Sequence, residues 1–251
     1  MKRKNFRQRI VFLLLCLPLL AAAQGKMGAP VVANGSGGTF LRHTAFIASY
    51  DAAKRCPTWV AWTLMKFRTE GSEERSSRFT PDPQLAGRGA THADYTKSGY
   101  DRGHMCPAAD NRWSEAAMKE SFYTSNICPQ TPALNRGSWK NLEERLRDMV
   151  ATGDTIYIVC GPIFSSRGNK QRTIAKGRVC VPTGFFKVCL LCNGGPKRAA
   201  GFIFSNVRGK EKQYSIVTVD EVERLTGINF FPNLTAAQEA IEATVSKKRW
   251  K

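Results

Sequence analysis

The stretch Ser98-Gly99-Tyr100-Asp101-Arg102-Gly103-His104-Met105 holds the residue types best suited to chemistry in this chain. If it is extended, the period of two places Tyr100, Arg102 and His104 on one face and turns Asp101 to the other. A permanent cation and a base that titrates near neutrality then point the same way. Gly103 between them lets a ligand or another backbone come close. Such a set suits a phosphodiester, whose hydrolysis needs a base for water, a cation for charge developing on the phosphoryl oxygens, and help for the leaving oxygen. His104 is the base in this reading. Downstream, Asn135 offers a hard oxygen to magnesium, an ion that keeps several waters and takes few protein ligands. Glu143 lies two helical turns further on and forms an i, i+4 pair with Arg147. The carboxylate would order the metal's waters and the guanidinium would hold a phosphate.

Each residue also has a plainer use. His43 and His92 read as structural or surface histidines. Asn135 could cap the helix that follows it, and ligation and capping compete for one side-chain oxygen; ligation is the reading preferred here. Glu143 and Arg147 could be a solvated pair worth roughly 0.2 to 0.5 kcal/mol. Trp113, Phe122 and Trp139 have helix-face spacing and read as core. The basic run Arg167, Lys170, Arg172, Lys176 and Arg178 is either a loop over a substrate groove or a solvated face.

The elements that must position these residues are legible in outline. Strand-like runs bounded by Gly, Pro or charged turns occur at Phe46 to Tyr50, Trp59 to Phe67, Thr155 to Cys160, Phe185 to Leu191 and Gly201 to Phe204. Helical spacing marks Trp113 to Tyr123, and Trp139, Leu142, Leu146, Met149 and Val150 fall on one face at steps of three and four. Thr235 and Gln238 have capping-box spacing ahead of a last helix, followed by a basic tail at Lys247, Lys248, Arg249 and Lys251. The pattern predicts an α+β fold, an antiparallel core sheet flanked by helices, with a strand ending at His104.

Residues 1–23 have the layout of a secretory signal: cations at Lys2, Arg3, Lys4, Arg7 and Arg9, an apolar run from Ile10 to Leu20, then Ala21, Ala22 and Ala23. The run is short for a bilayer span, so no stable membrane insertion is expected. Cleavage near Ala23 would give a secreted or periplasmic protein. Residues 24–38 read as a flexible linker and 39–251 as one domain with a basic tail. The chain has 38 Lys and Arg against 20 Asp and Glu, a net charge of +18. Without the five cations of residues 1–23 the exported chain keeps 33 against 20, +13, an excess that favours a polyanionic partner, nucleic acid or an anionic surface. Cys56, Cys106, Cys128, Cys160, Cys180, Cys189 and Cys192 are an odd set, so disulfides in an oxidising compartment would leave at least one thiol unpaired or paired with another chain.

The ordered set Asp101-Arg102-Gly103-His104, Ser125-Asn126-Ile127-Cys128-Pro129-Gln130, Asn135, Trp139 and Glu143 resembles the DNA/RNA nonspecific endonucleases of the ββα-metal (His-Me finger) class. Asp82-Pro83, Gly161-Pro162-Ile163-Phe164, Val181-Pro182 and Phe185-Phe186-Lys187 extend the resemblance from about His43 to Leu234. It implies that His104 activates water, that Asn135 binds Mg²⁺ directly, with Mn²⁺ or another divalent ion able to substitute, and that Glu143 acts through metal-bound water. It implies further that Arg102 and Arg147 contact phosphate, that Asn126 supports the site, and that cleavage leaves 5′-phosphate ends on DNA or RNA. An arginine before the aromatic residue and Asp-Pro is part of the family pattern. Arg75 and Arg78 both lie near Phe79, and Arg78 is taken as the substrate contact without the sequence separating the two. The rival readings are a noncatalytic polyanion-binding protein on the same scaffold and an antibacterial nuclease toxin held by an inhibitor protein.

Overall fold

The computed structural model describes residues 28–33, 38–76, 78–164, 171–193, 198–207, 209 and 214–250. The expected signal, residues 1–23, lies outside them. Its core is a seven-stranded sheet in the order β12-β11-β10-β7-β4-β3-β2, every neighbouring pair antiparallel. The strands are β2 Thr39–Arg42, β3 Ile47–Asp51, β4 Cys56–Leu64, β7 Ile156–Ile163, β10 Gly184–Leu191, β11 Arg198–Ser205 and β12 Ser215–Val217. Strand β10 is buried along its whole length because both faces are covered. Phe185, Cys189 and Leu191 enter one apolar cluster, while Phe186, Val188 and Leu190 enter the other. Two-sided burial explains why it reads as a continuous apolar run and not as an alternation. Lys187 interrupts that run and is fully buried.

Short pairs lie outside the sheet: β1 Val31–Val32 with β13 Ile228–Asn229, β5 Asp101–His104 with β6 Ile127–Gln130, and β8 Thr173–Ile174 with β9 Val179–Cys180. The helices are α1 Lys66–Thr69, α2 His92–Tyr95, α3 Glu115–Ser121, α4 Pro132–Arg136, α5 Ser138–Ala151, α6 Val219–Thr226, α7 Ala236–Glu239 and α8 Lys247–Trp250. Helix α5 buries Trp139, Leu142, Leu146 and Val150, the stripe read from their spacing. The Thr235 and Gln238 capping box is formed at the start of α7.

Three expectations shift. The strand predicted over Trp59 to Phe67 begins at Cys56 and stops at Leu64, and Phe67 belongs to α1. Residues 24–38 are not wholly a linker, because Val31 and Val32 pair with Asn229 and Ile228. The end of the chain is not simply a solvated basic tail, because Trp250 is buried and its ring sits edge-on to Phe202, 6.0 Å between centroids.

All seven cysteines from Cys56 onward are free thiols, and no disulfide occurs among the described residues. Five of them, Cys56, Cys106, Cys128, Cys160 and Cys189, sit inside the apolar core as small hydrophobic residues. Among the described residues no helix is long and apolar enough to cross a membrane.

Candidate active site

The pair β5 and β6 carries the site, and helices α4 and α5 follow it directly in the chain. Register pairs Asp101 with Gln130, Arg102 with Pro129, Gly103 with Cys128 and His104 with Ile127. The alternation expected of β5 is realised. Arg102 and His104 share one ring neighbour, Phe79, at 5.6 Å from the guanidinium carbon and 5.4 Å between ring centroids. Asp101, turned the other way, accepts from Asn135 Nδ2 at 3.0 Å and from Arg136 Nε and a terminal nitrogen at 2.8 Å each. Gly103 is needed for close approach, but by a protein side chain: a Cβ there would collide with the side chain of Gln130.

His104 is 8% exposed and packs edge-on against Phe122 at 4.8 Å. Its Nε2 is buried with no partner among the described residues. Burial, and secondarily the Arg75 charge, push its pKa down to about 3, so the ring is neutral at ordinary pH. Its backbone is pinned: the carbonyl accepts from Trp139 Nε1 at 3.1 Å, and the turn beyond it is held by Asn126. Asn126 Oδ1 accepts from the Cys106 N–H, while Nδ2 donates to the carbonyls of Cys106 and Ser121. Asn126 is buried and reaches the site only through this turn.

Asn135 falls inside α4, and Gly137 occupies the N-cap of α5, so Asn135 does not cap the following helix. With Nδ2 spent on Asp101, its Oδ1 has no hydrogen-bond donor among the described residues. Glu143 does not pair with Arg147 as the i, i+4 spacing suggests. Its Oε1 lies 3.4 Å from Lys187 Nζ, and Arg147 donates to Asp110 Oδ1 at 3.1 Å. Burial raises the Glu143 carboxyl to about 7 against the opposing pull of Lys187.

The remaining cations separate clearly. Arg102 donates to the His92 carbonyl at 3.1 Å and to Thr96 Oγ1 at 3.3 Å, contacts His92 Nε2 at 3.1 Å, and leaves Nε buried without a partner. Arg75 lies over the Phe122 ring at 5.2 Å and lines a groove of about 470 Å³ with Glu73, Ala108, Arg112 and Met118. Arg78 is exposed, and its side chain has no partner among the described residues. The arginine that the structure brings beside His104 is therefore Arg75. Of the basic run, Arg167 and Lys170 lie outside the described residues, Arg172 reaches the Tyr100 hydroxyl at 3.3 Å, and Arg178 pairs with Asp94.

Sequence reasoning gave Asp110 no role and placed Lys187 only in a core strand. Asp110 gives no motif signal; Lys187 was visible as a lone cation within an apolar strand, a pattern that calls for a buried partner. Among the described residues no group of three or more His, Cys, Asp or Glu side chains could hold a metal. An ion here would take few protein ligands, all oxygens, and the open Oδ1 of Asn135 with the carboxylate of Glu143 fits magnesium on that count.

Comparison with known proteins bears on this geometry. The sequence model of the DNA/RNA non-specific endonucleases matches residues 24–237. Endonuclease G, mitochondrial, of Bos taurus is 34% identical over 92% of this chain and 86% of its own length. A nuclease of Nostoc is likewise 34% identical, over 80% of this chain and 76% of that protein. A solved structure of the EndoG/EndoGI complex, on the mechanism of EndoG inhibition, superposes with a TM-score of 0.74 at 27% identity, covering 86% of this chain and 94% of that one. The secreted or periplasmic location expected from residues 1–23 is corrected here. The relatives from Bos taurus, Homo sapiens and Xenopus laevis are named mitochondrial, which overturns it.

Proposed function

The chain belongs to the DNA/RNA non-specific endonuclease family, a metal-dependent nucleic-acid hydrolase on the α+β ββα-metal fold, and from that premise we propose the following reaction. It cuts phosphodiester bonds of DNA or RNA without sequence preference, with one Mg²⁺, and leaves 5′-phosphate ends. The observation that carries this reading is His104: a neutral imidazole, seated between Phe79 and Phe122, on the same strand face as Arg102.

His104 takes a proton from the attacking water. Burial keeps the ring unprotonated at neutral pH, and the Trp139 and Asn126 contacts fix the strand end from which it projects. Asn135 Oδ1 and, through water, Glu143 would hold the ion, which when bound supplies positive charge at the phosphoryl and leaving oxygens. Arg102, with its unused Nε, and Arg147, with the nitrogens that Asp110 leaves free, meet phosphate. We place Arg75 in the third phosphate contact in preference to Arg78, because it lies on the His104 side. Contacts to phosphate alone carry no base information, which accounts for the absence of sequence preference.

The likeness to the EndoG/EndoGI complex favours a protein inhibitor as a further partner. The deciding experiment is digestion of plasmid and of RNA with magnesium, with EDTA, and by His104→Ala. Cleavage lost in the last two, with nucleic acid still bound by the folded variant, is the expected result. Binding without any cleavage by the unaltered protein would leave the noncatalytic polyanion-binding reading in its place.

A further inference from the structure

Lys187 lies inside the sheet, on β10, opposite Cys160 of β7 and Phe202 of β11. Its side chain is 0% exposed. The ammonium sits 4.1 Å from the ring centre of Trp139 and 5.8 Å from that of Trp62, with Glu143 Oε1 at 3.4 Å. A buried ion pair seldom exceeds an apolar pair of the same volume in stability, and its neighbours on this face, Phe185 and Cys189, are apolar. A purely structural role would be filled as well by leucine or methionine.

The cage around Lys187 is built from residues that hold the site. Trp139 Nε1 donates to the carbonyl of His104, and Trp62 Nε1 donates to Asp110 Oδ2 at 3.1 Å, the carboxylate whose other oxygen takes Arg147. Of the two Glu143 oxygens, Oε1 faces Lys187, and Oε2 has no hydrogen-bond partner among the described residues. The carboxylate is therefore anchored at one end and available at the other.

We propose that Lys187 is a positioning residue for the reaction: by holding Oε1 of Glu143 between the two indoles, it fixes the remaining oxygen for its work on the metal's water. The inference rests on the role given to Glu143 above. Groups that orient ligands from behind typically change metal affinity or activity about 10- to 100-fold when removed.

The test compares the full chain with Lys187→Met, Lys187→Arg, Glu143→Gln and the double variant Lys187→Met/Glu143→Gln. Magnesium binding is read by calorimetry, kcat and KM on plasmid, and folding by thermal melting. Lys187→Met should lower kcat and weaken magnesium binding by about tenfold or more, with KM for DNA little changed. Lys187→Arg, which keeps a cation, should recover part of both. Added to Glu143→Gln, Lys187→Met should cost nothing further, because residues acting as one unit are not additive. Additive losses, or a folded Lys187→Met with unaltered kcat and magnesium affinity, would overturn the inference. If Glu143→Gln itself leaves activity and metal binding intact, the reading of Glu143 falls instead. Should Lys187→Met alone fail to fold, the double variant removes both buried charges together, and its comparison with Glu143→Gln still decides.

Discussion

Arg147 donates to Asp110 Oδ1 at 3.1 Å, while Glu143, one turn earlier on the same helix, is held by Lys187. An exposed i, i+4 pair is worth a few tenths of a kcal/mol, roughly 0.2 to 0.5, and buried partners from other elements outcompete it. Asp110 is 2% exposed and also receives Trp62 Nε1, so one carboxylate ties the loop after His104 to both β4 and α5. Asp110→Ala should destabilise the protein by about 3 to 5 kcal/mol, the range for removing one partner of a buried pair, and Asp110→Asn by less, since it still accepts. Urea midpoints at constant slope check this. Midpoints equal to the parent's for both variants would mean that Asp110 holds neither Arg147 nor Trp62 in a way that matters.

For Asn135 the structure sharpens the contrast between ligation and capping. Gly137 fills the N-cap of α5, and Asn135 Nδ2 donates to Asp101. Asn135→Ala leaves the cap untouched and Asp101 still held by Arg136, so it should lose magnesium affinity and turnover while its melting temperature falls only by the loss of the one bond to Asp101. Asn135→Asp keeps an oxygen ligand but sets a second carboxylate against Asp101 in place of a donor, leaving Arg136 to offset both. Its defect should be relieved by adding Asp101→Asn. Calorimetry with magnesium reads each variant, and normal metal binding by Asn135→Ala would remove it from the ligand set.

What could be read from sequence follows from range of interaction. The alternation of Asp101 against Arg102 and His104 and the stripe Trp139, Leu142, Leu146 and Val150 depend on neighbours along the chain, and both recur in the fold. The partners of Glu143 and Arg147 lie 44 and 37 residues away, on β10 and in the turn after β5, and no local spacing encodes such meetings. The two-residue pairings of β1 with β13 and β8 with β9 are too short to show a period at all. Phe67 continues the apolar run of the preceding strand in sequence, although the chain turns helical at Lys66.

Arg75 and Arg78 give a direct comparison of two arginines three residues apart. Arg75 rests on Phe122, one wall of the His104 seat, whereas the Arg78 side chain has no partner among the described residues. Arg75→Ala should lower kcat/KM for plasmid by about tenfold or more, the scale of losing one charge-assisted contact of roughly 1.5 to 3 kcal/mol. Arg78→Ala should stay within about twofold, as surface substitutions usually do. A larger loss from Arg78→Ala than from Arg75→Ala would reverse the assignment and restore Arg78 as the phosphate contact.

The opposite shifts of His104 and Glu143 predict that Glu143, and not the histidine, sets the acidic limb of activity. With its pKa at about 3, His104 stays neutral through the weakly acidic range, so its titration cannot produce an acidic limb near neutrality. Glu143, at about 7, takes up a proton there and ceases to be the carboxylate the reaction needs. Magnesium competes with that proton, so the limb should move to lower pH as magnesium is raised. A limb that ignores magnesium would point back to His104. Stability separates the two groups by sign. Between about 3 and 6.5 the unfolded chain protonates its histidine and the folded one does not, so His104 makes stability rise with pH. Between 4.5 and about 7 the folded Glu143 keeps a proton that the unfolded chain has lost, so it makes stability fall with pH. Over the shared window the two oppose each other. His104→Ala should leave the Glu143 dependence uncovered, with its melting temperature falling more, or rising less, than the parent's as pH goes from 4.5 to 6.5. Parallel curves for the two proteins would show that burial does not depress the His104 pKa, and the acidic limb of activity would then be reassigned to the imidazole.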